Sequence, residues 1–391
     1  MLAAVRSISQ RAMTTSSLLK QGRKDVNVAF IGLGAMGYGM AANLSRLPRS
    51  CSDGHKHIME NEHDGNSSSS PAVQEEQQKQ NPVFVWNRHS SVAKQHASEF
   101  GTRDVSSLEE LGHCSIVFMC LPTSHEVEAV CQRLSHILPP NAIVADCTSG
   151  DPLMTRRIAS SLALRQIQMV DCPVSGGPAG AKSGQLTSMM GGPLEAVSAV
   201  EPYLRRMAQK NVVPVGSIGA GHAVKAVNNT LNAAHLVIAS EGLLALANFG
   251  ISPEVALEAI NGSSGRSLQT QERIPKEVLS REFDYGFPLG LMLKDVTIAV
   301  DSIGSSCTRT KHNSSCGNAN AGGKDEVEVE QIPKFFPLVK DILQKAVNLE
   351  SKEADYSRVV RPLEAEAGLE LHAGSGVDGN YEAPSYKSSN T

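Results

Sequence analysis

Apolar and polar positions along this chain follow two periods in turn. Val26-Asn27-Val28-Ala29-Phe30-Ile31 reads as a buried strand, and Ala35 to Arg46 carries helical apolar spacing behind a glycine turn. Val83 to Trp86 predicts a second strand, and Ser91 to Phe100 a helix. Further strands are predicted at Ile116 to Leu121, Ala142 to Asp146, Gln168 to Asp171, Leu186 to Met190 and Val212 to Val215, with helical patterns between several of them. Strands alternating with helices predict a doubly wound, mainly parallel sheet. From about Gly219 the strand pattern stops. Helical stretches follow at Gly221 to Phe249, Pro253 to Asn261, Leu289 to Ile303 and Pro333 to Leu349, predicting an all-α second domain.

Two polar stretches interrupt this alternation. Residues 48–82 are rich in Ser, Gln, Glu, Asn and His and read as a disordered surface insertion, and residues 305–330 read as a loop insertion. Residues 366–391 read as a disordered Gly- and Ser-rich tail. The expected organisation is therefore a doubly wound α/β domain over 26–216 and a helical domain over 217–365. Residues 1–25 are Arg-, Ser- and Thr-rich with no acidic residue before Asp25, a composition that resembles a mitochondrial transit peptide. The expected location is the mitochondrial matrix, or the cytoplasm if the segment is an ordinary basic tail.

Composition narrows the function. A net charge of -4 in 391 residues lacks the basic field that nucleic-acid binding requires. No uninterrupted apolar run approaches the roughly 18 to 20 residues of a membrane span, so a soluble protein with no membrane partner is expected. Eight cysteines without a CxxC pair suit a reducing compartment rather than a metal or disulfide framework. His55 and His57, with His63 nearby, fall in the polar insertion and are not read as a metal site.

Gly32-Leu33-Gly34-Ala35-Met36-Gly37 is a G-x-G-x-x-G turn placed directly after a strand and opening a helix. The first glycine permits the turn, the second lets the backbone approach a pyrophosphate, and the third lets helix and sheet pack closely. Helix-terminal N–H groups then face the phosphates. The next strand ends in Trp86-Asn87-Arg88, where an acidic residue would accept from the ribose of NAD and an arginine suits the 2′-phosphate of NADP. This favours NADP over NAD; the alternative is an arginine that caps a loop.

Lys225 is the only charged side chain between Lys210 and Glu241. Burial disfavours its ammonium form, which suits it to general acid–base work, whereas a structural reading would have it snorkel or form one buried ion pair. Asn229 follows by one helical turn and His222 precedes by three residues on the same face; His222 is read as a structural neighbour. Ser175-Gly176-Gly177 can form an anion-binding nest for a carboxylate, although Ser-Gly-Gly-Pro also describes an ordinary turn.

Four motifs in this order resemble the β-hydroxyacid dehydrogenase family: Gly32 to Gly37 with Met40 to Leu44; Asp171 to Gly177; Gly221 to Lys225 with Asn228-Asn229; and Leu291 to Asp295. The resemblance runs from about Val26 to Ile303 and resumes from Gln331 to about Leu363. It is strongest to members acting on 3-hydroxyisobutyrate, with glyoxylate and succinic semialdehyde reductases as near relatives. It implies an NAD(P)-dependent oxidoreductase of small 3-hydroxy acids with a Rossmann-type N-terminal domain. It also implies catalysis by Lys225, substrate binding by Ser175, Gly176, Gly177 and Asn229, and a homodimer or homotetramer. Cofactor contacts implied are Leu121, Pro122, Ser149, Phe287, Lys294 and Asp295, beside the glycine turn. The family's Ser-Thr pair is Thr148-Ser149 here. Resident metal is not implied. A non-catalytic dinucleotide-binding scaffold would be expected to lack Lys225, and a 6-phosphogluconate-type decarboxylase would need further cationic ligands.

Overall fold

The computed structural model describes residues 26–46, 82–304, 308–311, 328–331 and 333–373. The expected transit peptide, most of the 48–82 insertion and the histidines within it lie outside the described residues. The chain divides into two compact units, Met1–His222 and Ala223–Thr391.

The first unit has strands β1 (Val28–Ile31), β2 (Phe84–Trp86), β3 (Arg103–Asp104), β4 (Ile116–Met119), β5 (Ile143–Asp146), β6 (Gln168–Asp171), β7 (Val174–Ser175), β8 (Thr187–Gly191) and β9 (Asn211–Gly216). Helices α1 (Gly37–Ser45), α2 (Ser90–Phe100), α3 (Ser124–Leu134), α4 (Pro152–Ala163), α5 (Gly177–Ser183) and α6 (Leu194–Met207) lie between them in sequence. The sheet runs β3-β2-β1-β4-β5-β6-β8-β7, with β9 beside β8. β1 pairs in parallel with both β2 and β4, so strand order reverses there. In such sheets the crevice beyond the carboxyl end of that strand is the ligand site. β8 runs antiparallel to β6 and β7, which makes the sheet mixed at that end.

Period-two alternation sorts the strand side chains onto two cores. Val28, Phe30, Ile116, Phe118, Ile143 and Ala145 join α1 and α6 residues such as Met40, Leu44, Val200 and Leu204. Ala29, Ile31, Val117, Met119 and Val144 join Val127, Cys131, Leu134, Ile158 and Leu162 of α3 and α4. Strands buried on both faces read as continuous apolar runs, which is why they stand out in the sequence.

The second unit is helical: most of α7 (Ala220–Asn248), α8 (Pro253–Asn261), a wide π-type helix Gln269–Leu279, α9 (Leu289–Ile298), α10 (Phe335–Leu349) and α11 (Arg361–Ala367). Its core gathers Leu236, Leu243, Leu257, Ile274, Met292, Leu343 and Tyr356. α7 is long and apolar enough to cross a membrane by length and composition, with a mean hydropathy of 1.4 in its most apolar window. That corrects the expectation that no stretch reaches spanning length; the polar interruptions do not break the helix, and Lys225, Asn228, Asn229 and Asn232 give it a polar face.

Three further expectations need correction. The 305–330 segment is not wholly loop, because β10 (Thr308–Lys311) and β11 (Glu328–Gln331) pair antiparallel. The tail from 366 is ordered as far as Ala373: Leu371 is fully buried, its N–H donates to Glu364 Oε1 at 2.9 Å, and Arg281 donates to its carbonyl. The remaining tail lies outside the described residues. The division between units falls after His222 rather than at 216/217, because the first turn of α7 is bonded to β6.

Candidate active site

The glycine turn has the geometry a dinucleotide requires. Gly32 has φ +91°, and a Cβ there would stand 2.3 Å from the Cys120 carbonyl oxygen. A Cβ on Gly37 would stand 1.9 Å from the Gly32 oxygen, so helix and strand close only on glycine. A Cβ on Gly34, by contrast, would meet nothing within 4 Å. That glycine is not demanded by the protein's own packing; its open face suits a pyrophosphate. α1 has no acidic residue in its first turn and no side-chain cap at Met36, so its positive end is left for an anion.

The neighbouring loops hold this turn. Asn87 Oδ1 accepts the Leu33 N–H at 3.0 Å, so its side chain braces the glycine turn. Arg88 is exposed beside it, and Leu33, Ala35 and Met36 lie on the turn itself. Thr148 Oγ1 accepts the Leu121 N–H at 3.0 Å, joining the loops after β4 and β5, while Ser149 is half-buried and Pro122 exposed. The hydroxyl that bridges the two loops belongs to Thr148, the neighbour of Ser149.

Ser175 ends β7 half-buried, and the next residues, Gly176 and Gly177, have φ of +137° and +66°. These left-handed conformations favour glycine strongly. Upstream of them, Asp171 is fully buried at the end of β6, paired in register with the buried Asp146 of β5. Two adjacent predicted strands that each end in aspartate are a signal the sequence carried without an assigned role. Burial pushes the Asp146 carboxyl up from its ordinary value. His222 is fully buried with Nδ1 2.7 Å from Thr155 Oγ1, as befits a structural histidine. The turn Gly219-Ala220-Gly221 packs against Asp171, whose Oδ1 accepts the Gly219 N–H and whose Oδ2 would stand 2.8 Å from a Cβ on Gly221.

In the second unit, Lys225 is 8 % exposed. Burial pulls its amine below the ordinary value; the Asp295 charge opposes this and the Lys294 charge adds to it. Asn229 donates to Asp295 Oδ2, and Lys294 Nζ stands 3.2 Å from Asp295 Oδ1. The structure thus groups Lys225, Asn229, Lys294 and Asp295, the last two known only through resemblance. Phe287 lies half-buried, edge-on to Tyr356 with ring centroids 6.0 Å apart. Among the described residues, no group of three His, Cys, Asp or Glu side chains is arranged to hold a metal ion.

Fold and glycine turn define a Rossmann-type dinucleotide-binding protein. The NAD-binding domain model of 6-phosphogluconate dehydrogenase matches residues 70–216, and the model for the NAD-binding region of NADP-dependent 3-hydroxyisobutyrate dehydrogenase matches 219–319. The first match starts after the glycine turn, yet β1 is central in the sheet. The chain is 30% identical over 284 residues to 2-(hydroxymethyl)glutarate dehydrogenase of Eubacterium barkeri, covering 71% of this chain and 83% of that one. It is 28% identical over 291 residues to the mouse mitochondrial 3-hydroxyisobutyrate dehydrogenase, covering 72% and 77%. The solved Mycobacterium tuberculosis 3-hydroxyisobutyrate dehydrogenase shares the fold, with a TM-score of 0.66 at 22% identity over 86% of this chain and 99% of that one. The chain belongs to the β-hydroxyacid dehydrogenase family, NAD(P)-dependent enzymes that act on CH–OH groups.

Proposed function

We propose that this enzyme is a 3-hydroxyisobutyrate dehydrogenase of valine breakdown, located in the mitochondrial matrix. The observation that carries the mechanism is Lys225: an amine only 8 % exposed, whose burial pulls it below its ordinary value, with Asn229 one turn further along the helix and hydrogen-bonded to Asp295. A nicotinamide dinucleotide, when bound, would supply the hydride acceptor. Ser175, Gly176 and Gly177 anchor the substrate carboxylate, and Asn229 hydrogen-bonds the reacting oxygen. Neutral Lys225 Nζ takes the proton of the 3-hydroxyl as the C–H bond breaks and its electron pair leaves as hydride, giving the semialdehyde. In the reverse direction the ammonium returns that proton. The glycine turn with Asn87, Arg88, Leu121, Pro122 and Ser149 would hold the cofactor, as would Phe287, Lys294 and Asp295.

Support for the substrate comes from the mouse relative and from probable 3-hydroxyisobutyrate dehydrogenases, mitochondrial, of Dictyostelium discoideum and Arabidopsis thaliana at 29% identity each. Relatives named for L-serine and L-threonate make those acids the first competitors. Exposed Arg88 favours a second reading, an NADPH-dependent glyoxylate or succinic semialdehyde reductase. Exposed Val224, Leu231 and Ile238 along α7, with Phe249 just after it, support a homodimer or homotetramer formed through the helical unit. The test is turnover of purified protein on 3-hydroxyisobutyrate, 3-hydroxypropionate, L-serine, glyoxylate and succinic semialdehyde with each cofactor. Higher kcat/KM for glyoxylate with NADPH than for 3-hydroxyisobutyrate with either oxidised cofactor would overturn the first reading in favour of the second.

A further inference from the structure

The end of β6 and the start of α7 are joined through one side chain. Asp171 Oδ1 accepts the Gly219 N–H at 2.7 Å, and Oδ2 accepts the His222 N–H at 2.8 Å. These amides flank the start of the helix, where backbone donors have no acceptor within the helix itself. α7 has no acidic residue in its first turn. A carboxylate 48 residues upstream of Gly219 therefore does what an aspartate at the N-cap does locally, satisfying donors and complementing the positive end of the helix.

The surroundings are fitted to that carboxylate. A Cβ on Gly221 would stand 2.8 Å from Asp171 Oδ2 and 2.3 Å from the Met189 carbonyl oxygen, and one on Gly191 would stand 2.6 Å from Asp171 Oδ1. Gly219 has φ +87°. His222 adds a second hold: Thr155 donates its hydroxyl to the Asp151 carbonyl and so accepts from His222 Nδ1, while Nε2 stands 3.8 Å from Asp146 Oδ2. Gly150 leaves room for the ring, since a Cβ there would come within 2.8 Å of His222 Cε1.

Two paths leave Asp171. Its backbone continues through Cys172, Pro173 and Val174 to Ser175 and the two glycines. Its carboxylate holds the helix that presents Lys225 three residues after His222. We propose that Asp171 is a positioning residue for the reaction: by capping α7 it keeps the first turns of the helix that carries Lys225 formed and ordered, without touching substrate or cofactor. This rests on Lys225 being the proton-transfer group. Such a group must come within about 2.6–3.2 Å of the hydroxyl it serves, and a misplacement of about 1 Å costs on the order of a hundredfold in rate.

Asp171→Asn tests this, because the amide keeps the volume but sets an N–H donor against one of the two backbone donors. The full chain is compared with wild type by amide hydrogen exchange over 219–225, by NADH and NADPH fluorescence binding, and by kcat and KM on the best acid of the panel above. Local exchange about tenfold faster, kcat lower by about ten- to a hundredfold, and KM and cofactor Kd within about threefold are expected. Unchanged kcat, unchanged exchange over 219–225, or a parallel loss of cofactor binding with exchange accelerated throughout the chain would each overturn the proposal. Should that variant not fold, Thr155→Val loosens His222 while leaving both aspartates, and must show the same pattern at smaller amplitude; wild-type behaviour there overturns the proposal too. Lys225→Met runs in parallel: full activity in it defeats the lysine reading, whereas an inactive Lys225→Met beside a fully active Asp171→Asn defeats only the positioning role.

Discussion

The Asn229 side-chain amide donates a 2.6 Å hydrogen bond to Asp295, and both residues are buried beside the helical turn that carries Lys225. Among the described residues, Asp295 is the carboxylate whose charge holds the Lys225 amine up against burial, while Lys294 pushes it further down. Asp295→Asn removes the upward influence and leaves the downward ones. The ascending limb of the pH–rate profile for hydroxy-acid oxidation is therefore expected to move to lower pH, measured with kcat across a buffer series. A limb that stays in place or moves up would show that Asp295 does not set the lysine's titration.

Lys225 also ties stability to pH. Its folded-state value lies below the ordinary 10.5, so between the two the unfolded chain binds more protons and stability rises with pH. Below the lowered value the cost of burying the ammonium is present in full. Urea unfolding at a series of pH values should show this rise in the wild type and a shallower one in Lys225→Met. Parallel curves for the two proteins would contradict the burial of a titrating amine.

How much of this was legible in the sequence depended on the range of the interaction. β1, β4 and β5 are buried on both faces, so their apolar runs declare them without reference to any partner. The glycine turn was readable because its constraints are local: Gly37 must clear the oxygen of Gly32, five residues away. Lys225 stood out because a lone charge in an apolar stretch is itself an anomaly. The π-type helix Gln269–Leu279 escaped because Pro275 interrupts the helical pattern. Asp171 escaped because its partners, Gly219 and His222, are 48 and 51 residues away, and nothing in the spacing of either segment specifies the other. The bracing role of Asn87 was hidden in the same way, since its acceptor oxygen serves Leu33 across 54 residues and an inserted segment.

Arg88 gives a prediction about cofactor choice. It is exposed immediately after Asn87, whose side chain is already engaged with the glycine turn. A guanidinium there would make charge-assisted hydrogen bonds to a 2′-phosphate, roughly twice as strong as any bond it could make to a neutral 2′-hydroxyl. Arg88→Ala should raise the KM for NADPH by about ten- to a hundredfold, the equivalent of about 1.5–3 kcal/mol for a bond to a charged group, and leave that for NADH within about twofold. Equal effects on both cofactors would place Arg88 outside the phosphate-selecting position.

The second and third glycines of the nucleotide turn should fail for opposite reasons. Gly34 does not have a left-handed backbone, and a Cβ on it meets nothing within 4 Å, so alanine there adds no strain and no contact within the protein. Stability of Gly34→Ala should stay within about 0.5 kcal/mol of wild type, as for substitutions that disturb no packing. What the added methyl does occupy is the approach to the free end of α1, where a pyrophosphate must come close to the backbone. Cofactor affinity should accordingly fall by on the order of tenfold or more, consistent with a loss of at least about 1.4 kcal/mol. Gly37→Ala is the converse, since its Cβ would lie 1.9 Å from the Gly32 carbonyl oxygen and can be accommodated only by moving α1 off the sheet. It should lose about 1–3 kcal/mol of stability or more, the range seen for overpacking. Denaturant unfolding and nucleotide fluorescence titration on the two variants separate the effects. Were Gly34→Ala to bind both NADH and NADPH with wild-type affinity, the phosphates could not be passing over this glycine, and the turn would be a structural bend rather than the cofactor's cradle.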